Sequence, residues 1–151
     1  GNDPSTDLRG TGIYSLLQML FVLCEWNDLA MRLYNAFQRD FAVVSINVTS
    51  LCLHLLRAGV FNRICSRTDS VCHTMDECFA ATFHMLMLRW TRGTFTIEDF
   101  YDVLKAVEQD VRDHTDLLLD RFHAAMAERG HHPQGRAPKG GRVVSKTAQF
   151  D

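Results

Sequence analysis

From Ile13 onward, apolar residues recur with helical period along nearly the whole chain, and no segment alternates in the manner of a strand. Ile13, Leu16, Leu17, Leu20, Phe21 and Cys24 are expected to form the buried stripe of a first helix. Asn27 or Asp28 can cap a second helix carrying Leu29, Leu33, Tyr34 and Phe37, because a short polar side chain accepts from the free amides of a first turn. The run from Phe41 to Leu56 is rich in Val and Ile and could pass for a strand. Its length, its continuation through Leu51, Leu55 and Leu56, and Gly59 as a stop favour a buried helix. Thr74-Met75-Asp76-Glu77 has the spacing of a capping box, ahead of a helix through Phe79, Phe83, Leu86 and Trp90 that Gly93 ends.

Thr96-Ile97-Glu98-Asp99 opens the last helix, with Phe100, Leu104, Val107, Val111, His114, Leu118 and Phe122 on one face. Continued to Arg129 it would be roughly 50 Å long at a rise of about 1.5 Å per residue, so a break near Asp113 to Thr115 is expected. Met75, Met85 and Met87, with Phe79, Phe83 and Trp90, stand at core spacing. From His131 the chain is too rich in glycine, proline and polar residues to bury. The expected fold class is all-α: one compact helical bundle over residues 1–129, followed by a disordered basic tail over residues 130–151.

Composition narrows the function. At 151 residues, 46% of them apolar, the chain can build one sizeable core. A formal charge of −2 argues against nucleic acid as the main partner. The tail holds Arg136, Lys139, Arg142 and Lys146 against Asp151 alone, so the helical part is net acidic. Each tail charge could add about 1 kcal/mol near an anionic surface, which allows a weak peripheral membrane contact. The longest apolar stretch, Phe41 to Leu56, is interrupted by polar residues and is shorter than the ~20 residues of a membrane span.

Five cysteines, with no Cys-x-x-Cys among them, suit a reducing, cytoplasmic setting in which thiols serve as small hydrophobes. Cys72, His73 and Cys78 do not form the two ligand clusters of a structural zinc site, and no metal is expected. Gly140 to Thr147 approximates a phosphate-binding loop, but Ser145 stands where the glycine before the lysine is needed, and strand and helix are missing around it. Asn47-Val48-Thr49 matches a glycosylation sequon inside the buried run, where both polar side chains are expected to bond backbone. His54 and His84 read as satisfied core or boundary residues.

The remaining chemistry lies at the front. Gly1-Asn2-Asp3-Pro4-Ser5-Thr6-Asp7-Leu8-Arg9-Gly10-Thr11-Gly12 places one arginine between acidic turn residues and two glycines, just ahead of an apolar helix. Asp, Ser, Thr and Pro shape turns through side-chain bonds to local backbone and a fixed φ, and Gly10 and Gly12 permit close approach of another backbone. An arginine presented on such a loop suits a phosphate, since its guanidinium is always charged and donates through a rigid fork. Arg9 could instead pair with Asp7 or Asp3 and stiffen the loop.

Asp3-Pro4-x-Thr6-Asp7-x-Arg9-Gly10-x-Gly12 resembles the signature of the ELMO (engulfment and motility) domain, and Phe41-Ala42-Val43-Val44-Ser45-Ile46-Asn47-Val48-Thr49 is similar to a second segment of that family. With a looser likeness over Phe79 to Trp90 and Phe95 to Val107, the resemblance covers about residues 1–115. It implies a GTPase-activating protein for Arf-family or Arf-like small GTPases, of the ELMO-domain-containing branch, with Arg9 as an arginine finger in trans. Asp7 would orient Arg9, and Asp3, Pro4, Thr6, Gly10 and Gly12 would meet the partner. It implies no cofactor and no reaction of the protein's own, since GTP and Mg²⁺ belong to the GTPase, and a monomer that acts in the cytoplasm, peripheral to an endomembrane. The alternative is a non-catalytic interaction module of the ELMO scaffold type, binding a DOCK-like exchange factor or a GTPase. Leu8 stands where the family usually has an aromatic, and the tryptophan and Gly-Phe-Gln element upstream of the motif are missing, so this sequence reads as N-terminally truncated.

Overall fold

The structure is a computed structural model, and residues 10–130 of it are described. Among the described residues seven α-helices follow one another: α1 Tyr14–Glu25, α2 Asn27–Phe37, α3 Phe41–Arg57, α4 Asn62–Cys65, α5 Val71–Arg92, α6 Phe100–Asp113 and α7 Leu118–Ala127. Short 3₁₀ turns at Gln38–Asp40, Ile97–Asp99 and Thr115–Leu117 join them, and no strand occurs among the described residues. The expected disorder of residues 131–151 concerns segments outside the described residues.

Helix α5 is the axis of the bundle and packs against each of the other six helices. Twelve of its residues are buried, among them Cys78, Phe79, Ala80, Ala81, Phe83, Leu86 and Met87, on all sides of the helix. Phe83 sits at the centre of an aromatic cluster, with ring centroids 5.7 Å from Phe37, 5.7 Å from Phe41 and 5.6 Å from Phe79. At its end, a Cβ on Gly93 would overlap the ring of Phe95, which stacks on Trp90, so any larger residue there displaces that ring.

Local signals explain most of the boundaries. Thr96 and Asp99 form a complete capping box ahead of α6, as the spacing predicts. The expected break after Asp113 is present, and Thr115 Oγ1 donates to Val111 O at 2.6 Å where α6 ends. Arg63, on α4, holds Asp116 of the following turn at 2.6 Å. Asn47 Nδ2 donates to Val43 O at 2.9 Å and Thr49 Oγ1 to Ser45 O at 3.1 Å, so both sequon side chains turn back onto their own helix.

Several expectations are corrected. Neither Asn27 nor Asp28 caps α2: Trp26 stands at its N-cap with no side-chain cap hydrogen bond, and Asn27 Nδ2 turns back to donate to Leu23 O at 3.5 Å. Thr74 does not start α5; Ser70 caps it one turn earlier, accepting from His73 N, and Thr74 Oγ1 donates back to Ser70 O. Ser70 offers the same capping chemistry first, so the helix gains a turn. Tyr34 is exposed rather than buried, and so is His54. The helical run 27–57 contains an 18-residue window apolar enough to cross a membrane by length and composition, which the sequence reading did not expect. However, Gln38 in a positive-φ conformation (φ 45°) breaks it, and eight residues of α3 are buried in the bundle.

The largest correction concerns α1. Its buried residues are Ser15, Gln18 and Val22, one line at helical spacing. Ile13, Leu16, Leu17, Leu20 and Leu23 are 45–70% exposed and Cys24 is exposed, while Phe21 is half-buried. The start of α5 presents polar groups to α1: Gln18 Nε2 donates to Met75 O at 3.3 Å and Tyr14 OH to Asp76 Oδ1 at 3.3 Å. Matching those acceptors turns the polar stripe inward and leaves the leucines outside. Phe83→Ala is expected to cost about 3–5 kcal/mol in urea unfolding, whereas Leu20→Ser costs less than about 1 kcal/mol; equal losses would mean that the leucine face is buried.

Candidate partner-docking site

The segment that enters α1 is built on two glycines that no other residue replaces without strain. Gly10 (φ 78°) and Gly12 (φ 58°) both lie in the left-handed region, and a Cβ at either would meet nothing within 4 Å. Their requirement is therefore conformational. Between them Thr11 is buried, and Ser15 Oγ donates to Gly12 O at 3.1 Å, fastening the turn to the helix. Arg9, Asp7, Asp3, Pro4 and Thr6 lie outside the described residues. Gly10 and Gly12 are the members of the motif that the structure describes.

The turn is anchored through α1 to the central helix. Burial, with the adjacent Asp76 carboxylate, holds the Tyr14 hydroxyl well above the usual tyrosine range, so it remains a donor. Burial likewise raises Asp76 above the ordinary carboxylate value. The outward side of α1 is the reverse: from Gly10 to Cys24 there is no charged residue, and Leu16, Leu17 and Leu20 form an uninterrupted apolar strip beginning one turn beyond Gly12. An exposed apolar face of this kind marks a contact surface. Sequence reasoning assigned these leucines to the core. The signal that would have reversed the assignment is Ser15–Gln18–Val22, a second line at the same spacing whose polar groups demand partners.

Elsewhere the titratable groups are structural. Among the described residues no cluster of His, Cys, Asp and Glu could hold a metal ion. Cys52, Cys65 and Cys78 are buried, and burial pushes the Cys52 thiol up to about 12 and raises the other two, which suits inert packing thiols. Glu77, buried on α5, accepts from His123 Nε2 at 3.1 Å, and His123 stacks on Trp26. His84 departs from expectation: it is only 4% exposed, yet its Nε2 has no hydrogen-bond partner. Burial, then the nearby Arg32 and Arg129, lower its pKa to about 4.

The sequence profile of the ELMO/CED-12 family matches residues 1–104, which include the glycine turn, α1 and the central helix. The chain belongs to the ELMO/CED-12 family. It is 31% identical over 134 residues to ELMO domain-containing protein 3 of Bos taurus, covering 84% of this chain and 35% of that protein. The Homo sapiens protein of the same name is 34% identical over 115 residues, 72% of this chain and 30% of its own length. ELMO domain-containing protein C of Dictyostelium discoideum is 23% identical over 144 residues, 83% of this chain and 23% of that protein. The chain thus spans about a third or less of the length of these relatives. No solved structure gives a significant match.

Two outcomes follow for this ELMO domain. Gly12→Val is expected to lower thermal stability by about 1–2 kcal/mol through the left-handed φ, with Gly12→Asn costing less; equal melting temperatures would remove the conformational requirement. At pH 7 His84 is neutral whether folded or unfolded. As pH falls from about 6.5 toward 4, the unfolded chain takes up a proton that the folded state refuses, so stability declines. His84→Phe should flatten that decline by on the order of 2 kcal/mol, read from urea unfolding at several pH values.

Proposed function

We propose that this ELMO domain activates GTP hydrolysis by a small GTPase of the Arf or Arf-like class, supplying Arg9 in trans as an arginine finger. The observation that carries this reading is the family match over residues 1–104, within which the arginine motif immediately precedes in sequence the uncharged leucine face of α1. Phosphoryl transfer develops charge on the γ-phosphate and leaving oxygens. A guanidinium brought to them stabilises that charge, worth on the order of 10³ to 10⁵ in rate. Its fork and permanent charge suit the task better than a lysine ammonium.

Division of labour follows from the residues. Leu16, Leu17 and Leu20 bury against the GTPase and supply holding energy, since the strip itself carries no charge to orient a partner. Gly10 and Gly12, with no Cβ, admit the partner's backbone beside the finger. Asp7 orients Arg9, while Asp3, Pro4 and Thr6 shape the loop and touch the partner. The GTPase brings its own GTP, Mg²⁺ and water-positioning group, so the domain needs no cofactor and performs no reaction alone. A cytoplasmic setting beside an endomembrane fits this role.

Single-turnover GTP hydrolysis by a panel of Arf and Arf-like GTPases tests the proposal. Arg9→Ala is expected to lose the stimulation while still binding the GTP-loaded GTPase. Leu17→Asp combined with Leu20→Asp is expected to lose binding with an unchanged melting temperature. Stimulation that survives Arg9→Ala would overturn the finger. Binding of a GTPase or of a DOCK-like exchange factor, with no stimulation by any variant, would leave a non-catalytic module of the scaffold type.

A further inference from the structure

Between α5, α6 and α7 lies a cavity of about 700 Å³, within the range of sites that enclose small molecules. Its walls are largely apolar, with Met85 and Leu88 from α5 and Phe122 from α7. Arg89, Arg92 and Arg121 also line it, against Asp110 as the acid. Arg89 Nη2 is already held by Asp110 Oδ2 at 2.6 Å. Arg92 and Arg121, both exposed, make no ion pair among the described residues. Three guanidinium groups against one carboxylate leave this opening with two uncompensated positive charges.

His84 adds the polar group that the packing does not account for. It lines the same cavity, touches Phe122 with ring centroids 5.9 Å apart, and keeps an unpartnered Nε2 although it is 4% exposed. That nitrogen has no accessible surface, so a cavity occupant meets other atoms of the ring. Arg32 stands near His84, and its Nη1 is likewise buried and unpartnered. Along α5, His84, Leu88 and Arg92 fall at successive four-residue steps on one face. The polar interior, the apolar wall and the cationic opening therefore lie in line, over roughly 12 Å at 1.5 Å per residue.

We infer that this cavity binds a single-chain acidic lipid, its acid head on Arg92 and Arg121 and its chain against Met85, Leu88 and Phe122. The charge, not the apolar wall alone, selects the class: a neutral lipid would leave both guanidinium groups unmatched. The site stands apart from the α1 face and does not rest on the GTPase reading. Carboxylate and phosphate heads offer the same oxygens to a guanidinium, and the two are distinguished by titration.

The test uses the whole chain and dansyl-undecanoic acid, whose emission rises on transfer from water into an apolar site. Saturable binding is expected, displaced by oleate or by oleoyl lysophosphatidate; the more effective competitor identifies the head group. Oleyl alcohol, with the same chain and no charge, should compete at least about tenfold less well. Arg92→Glu with Arg121→Glu changes exposed positions, leaves the fold intact by its melting curve, and should weaken the probe about tenfold or more. Ala125→Trp, filling the cavity wall, gives an independent loss. Equal competition by oleyl alcohol, unchanged binding by the charge-reversed variant, or no saturable binding would overturn the inference. So would capture of an acidic peptide in place of the lipids, which would make the cavity a peptide groove.

Discussion

One helix buried on every side sets the terms for the rest of this domain. Helix α5 has no solvent face over most of its length, so its neighbours must meet most of what it presents, Thr82 Oγ1 and His84 Nε2 being left over. Where it presents Phe79, Phe83 and Leu86, the neighbours answer with Phe37, Phe41 and the leucines of α2 and α3. Where it presents Met75 O, Asp76 and Glu77, they answer with Gln18, Tyr14 and His123. An unmatched polar group inside the bundle would cost more than a methylene left in water. That inequality decides the orientation of α1: its polar stripe goes in because polar acceptors wait there, and its leucines are left at the surface.

This is also where the sequence could be read and where it could not. The Thr96–Asp99 capping box, the interruption at His114 and the helical state of the Val- and Ile-rich α3 follow from chemistry within a few residues of each feature. Periodicity locates them without knowledge of the partner helix. The face buried by α1 is a different kind of fact. Ile13–Leu16–Leu20 and Ser15–Gln18–Val22 are both regular stripes on one helix, and the surfaces of α2, α3 and α5, on which α1 packs, choose between them. The Ser70 cap was missed for a smaller reason: two capping signals stand four residues apart, and Ser70 accepts from His73 N while Thr74 Oγ1 turns back to Ser70 O.

The candidate site divides along the same line. The glycine turn was legible as Gly10 and Gly12 ahead of a helix, but it was read for close approach of another backbone and not for the positive φ that both adopt. Its apolar extension along α1 was hidden by the assumption that leucine stripes face inward. The α5–α7 cavity was hidden altogether: Arg92 and Arg121 stand 29 positions apart in the chain and share an opening only through the packing of α7 on α5. No spacing rule reaches across that distance.

Both surfaces hang on α5, but on different parts of it. The α1 face is fixed at Met75 and Asp76, and the cavity begins at Ala81 and ends past Arg92. Coupling between two such sites needs an element with two alternative packings. The segment between them, Cys78 to Ala81, is fully enclosed, and its small residues sit in direct contact with neighbouring helices. A close-packed interior of that kind resists continuous deformation. Occupation of the cavity therefore acts on its own surroundings, stabilising the α5–α6–α7 side, and leaves the geometry of the glycine turn and the leucine face as the N-terminal half of α5 sets it.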